Sequence, residues 1–125
     1  MIDRLLKVTS DERFGKLNLV KMSLNLPATR QYPEGYIFEM GSWYIDLIEV
    51  FINAKPENIQ LIPECLVKDG SVRKGIAVMS YHSALKAEWY FNFYSNINQS
   101  LYLEIVGSRG EAFANLTDGV YRYRY

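Results

Sequence analysis

The stretch "ALKAEWYFNFY" (Ala84–Tyr94) decides what kind of protein this chain makes. Its residues alternate: Leu85, Ala87, Trp89, Phe91 and Phe93 hold one set of positions, and Lys86, Glu88, Tyr90, Asn92 and Tyr94 hold the other. On an extended chain successive side chains point to opposite faces, so this segment reads as a strand with one core face and one polar, Tyr-bearing face. A sheet with one face covered and one face open follows from it.

The same reading extends both ways along the chain. "NIQLIPECLV" and "VRKGIAVMSYH" precede the stretch; "SLYLEIVGS" and "EAFANL" follow it. "KDGS", "HSA", "SNINQ" and "SRG" join them as hairpin connections. The tail "VYRYRY" alternates Tyr with Arg and reads as a last edge strand. Nearer the start, "KLNLVKMSLNL" puts Val20, Met22, Leu24 and Leu26 on one face and Lys21, Ser23 and Asn25 on the other. Leu17 and Leu19 are out of phase with that set, which predicts a bulge or late start near residues 19–20. The sequence therefore predicts about six strands in an open, mostly antiparallel meander.

Two segments have helical spacing. "DRLLKVTSDERFG" reads as a short N-terminal helix ending near Gly15. "FEMGSWYIDLIEVFINA" (Phe38–Ala54) is the main one. Tyr44, Leu47, Ile48 and Phe51 fall at i, i+3, i+4 and i+7 and form its buried stripe. Glu39, Trp43 and Asp46 share another face. The helix must stop by Lys55, because Pro56 disfavours helical geometry in the residue before it. Between this helix and the early strand, "PATRQYPEG" reads as a loop. Both helices belong on one face of the sheet, giving an α+β fold in a single domain, residues 1–125.

Composition excludes several classes. Lys plus Arg equals Asp plus Glu, 14 each, so the formal net charge is zero and no basic nucleic-acid surface is expected. The "RYRY" tail carries only two Arg and is better explained as an edge strand. No apolar run approaches membrane-span length and the N-terminus lacks a signal-peptide core, so a soluble, cytoplasmic protein is expected. The single Cys, Cys65, rules out a disulfide framework and reads as buried and inert. The single His, His82, reads as a turn residue without metal-ligand spacing, so no metal site is expected. The excess of aromatics, 10 Tyr among them, marks contact surfaces. With one main helix, only one sheet face can be covered within the chain. The Tyr90 and Tyr94 face predicts a homodimer through the open sheet.

Three features in fixed order carry a resemblance: "GKLNLVKMSLNL" after a short helix, "GYIFEMGSWYIDLIEVFINAKPENI", and the meander ending "LYLEIVGSRGEAF". Over roughly residues 3 to 116 the chain resembles the C-terminal domain of the Gfo/Idh/MocA oxidoreductase family. That family's second feature runs Gly-x-x-x-Asp-x-Gly-x-His-x-x-Asp. The matching positions here are Gly35, Glu39, Gly41, Trp43 and Asp46. The Gly-x-x-Gly after the family's late strand matches Gly107 and Gly110.

The resemblance implies substrate binding and oligomerisation within an NAD(P)-dependent dehydrogenase acting on sugars or cyclitols. Glu39 would then contact the reacting hydroxyl, with Trp43, Asp46 and Tyr36 lining the substrate pocket. Each also has a plainer reading. Glu39 suits a helix N-terminus, where the helix dipole favours an acid by about 0.3–1 kcal/mol. Trp43 and Tyr36 suit packing, and Asp46 suits a surface ion pair.

The departures from the family are substantial. The G-x-G-x-x-G fingerprint of a Rossmann domain is absent from the sequence, and "GSRG" sits between strands. The chain alone is expected to bind no cofactor, so NAD or NADP would come with a separate Rossmann-domain partner. Trp43 stands where the family has His. An indole N–H only donates and cannot serve as a general base. Glu39 is one methylene longer than the family Asp, and the loop from Pro27 to Glu34 is shorter than usual. The alternative function is a non-enzymatic assembly or regulatory module of the same fold.

Overall fold

The computed structural model describes residues 1–27, 36–66, 72–95 and 99–125, with the side chains at 36–39, 65, 66, 72, 83 and 94 outside that description. The loop expected at Pro27–Glu34, apart from Pro27, lies outside the described residues, as do "KDGS", most of "SNINQ" and the side chains of Cys65 and Tyr94.

Among the described residues two α-helices and seven strands occur in the order α1 (Ile2–Ser10), β1 (Leu17–Pro27), α2 (Tyr36–Ile52), β2 (Asn58–Leu66), β3 (Val72–Ser80), β4 (Lys86–Ser95), β5 (Ser100–Gly107), β6 (Glu111–Asn115) and β7 (Val120–Arg124). The fold is α+β, with one strand more than the sequence suggested because the Tyr/Arg tail forms β7. One open sheet runs β2-β3-β4-β1-β5-β6-β7.

The expected meander is corrected at its centre. β4 and β5, read as hairpin partners through "SNINQ", do not pair. β1 lies between them, parallel to β4 (Val20 beside Ala87) and antiparallel to β5 (Val20 beside Ile105). The reason is burial. β1 is apolar at Val20, Met22, Leu24 and Leu26, all 4% exposed or less, and only a central position covers such a strand from both sides. The expected irregularity at its start is present: the register against β5 shifts between Leu17 and Leu19.

The alternation of the opening stretch holds. Ala87, Trp89, Phe91 and Phe93 of β4 are buried, and the rings of Trp89, Phe91 and Phe93 stand 4.9 and 5.5 Å apart along the strand. Met22, Leu24, Leu103, Ile105, Ala112 and Ala114 continue this apolar face across the sheet. Burying each large side chain stabilises the fold by roughly 1.5–3 kcal/mol. α2 covers this face above β1 and β4, and α1 covers it near β6.

α2 ends at Ile52, and Asn53 takes the left-handed conformation (φ 57°) that closes the helix before Pro56. Its buried stripe is Gly41, Tyr44, Ile48 and Phe51; Leu47, expected in that stripe, is only half-buried. After α1, a 3-10 turn (Glu12–Phe14) is capped by Asp11, whose carboxylate accepts from the Arg13 N–H at 2.9 Å. No helix among the described residues is long and apolar enough to cross a membrane.

Candidate functional site

α2 brings two of the expected site residues to one exposed surface. Trp43 is 55% exposed, although its position is fixed. Its ring meets Tyr44 edge-on, with centroids 4.8 Å apart and planes at 81°. Tyr44 in turn stacks on Trp89 of β4 at 5.2 Å. Trp89 is buried, and its indole N–H has no hydrogen-bond partner among the described residues. The indole of Trp43 is thus braced from the core outward and presents open surface to solvent. Asp46 lies one turn on and is exposed. Glu39 and Tyr36 occupy the first turn of α2, but their side chains lie outside the described residues.

Gly41 has a packing role. A Cβ there would stand 3.2 Å from the Trp89 ring, so the missing side chain lets α2 sit low on β4. That close approach sets the height at which Trp43 emerges.

Gly107 and Gly110 hold a side chain instead of a phosphate. Cβ atoms on them would fall 2.5 and 2.8 Å from the Phe14 ring, which is fully buried between them. Around Phe14 the loop is laced to residues 12–16. Arg109 N donates to Phe14 O at 3.1 Å, Ser108 N to Lys16 O at 2.8 Å, and the Arg109 guanidinium to Glu12 O at 2.6 Å. A glycine loop with its concavity filled by a phenyl ring and its amides engaged does not fit a dinucleotide.

His82 and Asp11 are elsewhere and serve structure. His82 is exposed in a 3-10 turn, with Nδ1 2.9 Å from Glu57 Oε1. The Arg13 side chain, hydrogen-bonded to Asp11, holds the Asp11 carboxyl at a pKa of about 2. Among the described residues no group of three or more His, Cys, Asp or Glu could hold a metal ion.

The open face of the sheet carries what the sequence left unassembled. Register places Glu88, Lys21 and Glu104 side by side on β4, β1 and β5, with Phe113 and Arg122 next in the same row. The Lys21 ammonium lies 4.7 Å from the Tyr90 ring centre, and the Arg122 guanidinium 5.0 Å from that of Phe113. A shallow groove of about 380 Å³ runs along Glu104, Glu111, Phe113, Arg122 and Arg124, with Glu111 and Arg124 ion-paired. This groove lies across the sheet from Trp43. Each strand's polar face was legible in the sequence; the row was not, because it depends on β1 being inserted between β4 and β5.

No protein-family model matches the sequence, and no curated protein matches it significantly. Solved structures do match in fold. A probable dehydrogenase from Thermotoga maritima superposes with a TM-score of 0.78 at 19% identity, over 91% of this chain and 38% of that one. UDP-N-acetylglucosamine 3-dehydrogenase GnnA from Acidithiobacillus ferrooxidans gives 0.74 at 13%, over 98% and 39%. The WlbA dehydrogenase from Bordetella pertussis, solved with NADH and UDP-GlcNAcA, gives 0.67 at 15%, over 91% and 39%. The chain has the fold of the C-terminal domain of Gfo/Idh/MocA-type sugar dehydrogenases, as the sequence resemblance implied. It spans 36–43% of the length of such structures.

Proposed function

We propose that this chain is the substrate-binding and assembly part of an NAD(P)-dependent oxidoreductase acting on a sugar-like alcohol, with the dinucleotide held by a separate Rossmann-type domain or subunit. The observation that carries this reading is Trp43. It is braced through Tyr44 on Trp89, yet more than half exposed. A braced but exposed indole supports a role as one pocket wall, with the facing wall supplied elsewhere. Similarity to dehydrogenases of which the chain spans well under half supports the same view. In this reading Trp43 stacks on the ring face of the substrate. Asp46 and Tyr36 bind hydroxyls, and Glu39 contacts the reacting one. The bound cofactor supplies the hydride chemistry.

The test is reconstitution. The chain alone should give no calorimetric signal with NAD or NADP. Mixed with a Rossmann-domain partner, it should support dehydrogenase activity on sugars, and Glu39→Gln should lower that activity. Tight dinucleotide binding by the chain alone would falsify the division of labour.

A second reading rests on one specific observation. Trp43 stands where the family carries His, and an indole cannot take a proton at neutral pH. On that reading the chain keeps the fold for assembly or regulation. A complex with a Rossmann-domain protein that forms normally but shows no turnover, with Trp43→His restoring none, is its signature.

We further propose that the open face, with its row of Glu88, Lys21, Glu104 and Arg122 and its aromatic rings, pairs with the same face of a second copy, and that the protein is cytoplasmic. Light scattering on a Phe113→Glu variant tests the pairing: the mass should fall.

A further inference from the structure

The two edges of the sheet differ in how they are protected. β7 carries Arg122 and Arg124 along its length. Charges and aromatic bulk on an edge discourage pairing with another strand. The second half of β2 is guarded in other ways: Pro63 removes a donor, the register is irregular from Pro63 to Leu66, and Glu64 pairs with Lys74 at 3.6 Å. The first half, Asn58–Ile62, has none of these. It is regularly paired to β3, carries no charge, and is exposed on both faces. Ile59 (49% exposed) and Leu61 (39%) lie on the helix side and Ile62 (43%) on the open side.

We propose that Asn58–Ile62 is a pairing edge and that its occupant is the same segment of a second copy, running antiparallel about a twofold axis at Gln60. Self-complementarity argues for this occupant. With Gln60 opposite Gln60, Ile59 faces Leu61 of the other copy on the helix side, twice over, which joins four exposed aliphatic side chains into one cluster. Asn58 faces Ile62, and the two Gln60 amides can bond each other across the axis. An isologous contact needs one patch to satisfy itself in this way. The interface is small, so its Kd should be on the order of 10–100 µM.

This pairing is independent of the open-face contact proposed above, and the two are separable. Gln60→Lys puts two ammonium groups across the axis without disturbing any buried residue. Light scattering up to about 500 µM, well above that Kd, should show association in the wild type and in Gln60→Thr, and loss of one doubling of mass in Gln60→Lys. Phe113→Glu should remove a different doubling. Hydrogen exchange needs no variant: amides of Asn58–Ile62 should gain protection as concentration rises, while those of β7 do not. Unchanged mass in Gln60→Lys, association lost only in Phe113→Glu, or protection independent of concentration overturns the proposal. So does a wild type that stays monomeric throughout.

Discussion

Gly107 shows how much one missing methyl group decides. A Cβ there would lie 2.5 Å from both the ring and the carbonyl oxygen of Phe14, and the oxygen cannot swing aside. Gly107→Ala should destabilise the fold by about 1–3 kcal/mol, read from urea unfolding. Asp11 makes a prediction of opposite visibility. Its folded pKa of about 2 lies below the ordinary 3.8, so its contribution is present above pH 4 and fades as pH falls towards 2. Thermal melts of wild type and Asp11→Asn should therefore differ at pH 5 and converge near pH 2. Asp11 is only half-buried and its partner Arg13 is exposed, so the difference will be small. The sequence identified Gly107 and Gly110 only as a motif match. The ring that makes them necessary, Phe14, lies more than 90 positions away, and nothing in local spacing could join them.

At the scale of elements, α2 was legible and its environment was not. The periodicity that marked Tyr44, Ile48 and Phe51 as buried is set by 3.6 residues per turn alone. Leu47 is only half-buried because it falls on the flank of the stripe formed by Gly41, Tyr44, Ile48 and Phe51, where Tyr44 stacks on Trp89. The structural role of Trp89 and the binding role proposed for Trp43 can be tested apart. Trp89→Ala should cost about 3–5 kcal/mol, since it empties the space beneath the helix. Trp43→Ala should cost no more than about 1 kcal/mol, the worth of one exposed aromatic edge contact. If Trp43 forms the proposed pocket wall, the same change should abolish substrate binding in the reconstituted complex. Denaturant melts and calorimetry on both variants read the two quantities separately; a Trp43→Ala variant as unstable as Trp89→Ala would make Trp43 a structural residue.

For the whole molecule, strand periodicity predicted the members of the sheet and its covered face, but not their order. Alternation along "KLNLVKMSLNL" and "ALKAEWYFNFY" is indifferent to whether the two strands touch. Only the need to bury β1 from both sides places it between β4 and β5. That arrangement sets an order of events. Val20 must find Ala87 and Ile105, so loop closure delays the centre of the sheet. Refolding should take milliseconds to seconds in stopped-flow fluorescence. Met22→Ala in β1 should speed unfolding and barely slow folding, whereas Ala77→Gly in the β3–β4 hairpin should slow folding. During synthesis β1 leaves the ribosome before β4 and β5 and waits for its partners: Ala87 follows Val20 by 67 positions and Ile105 by 85. Throughout that wait, Lys21, Ser23 and Asn25 interrupt an otherwise sticky apolar segment. Their polar alternation protects the nascent chain before it helps to shape the finished one.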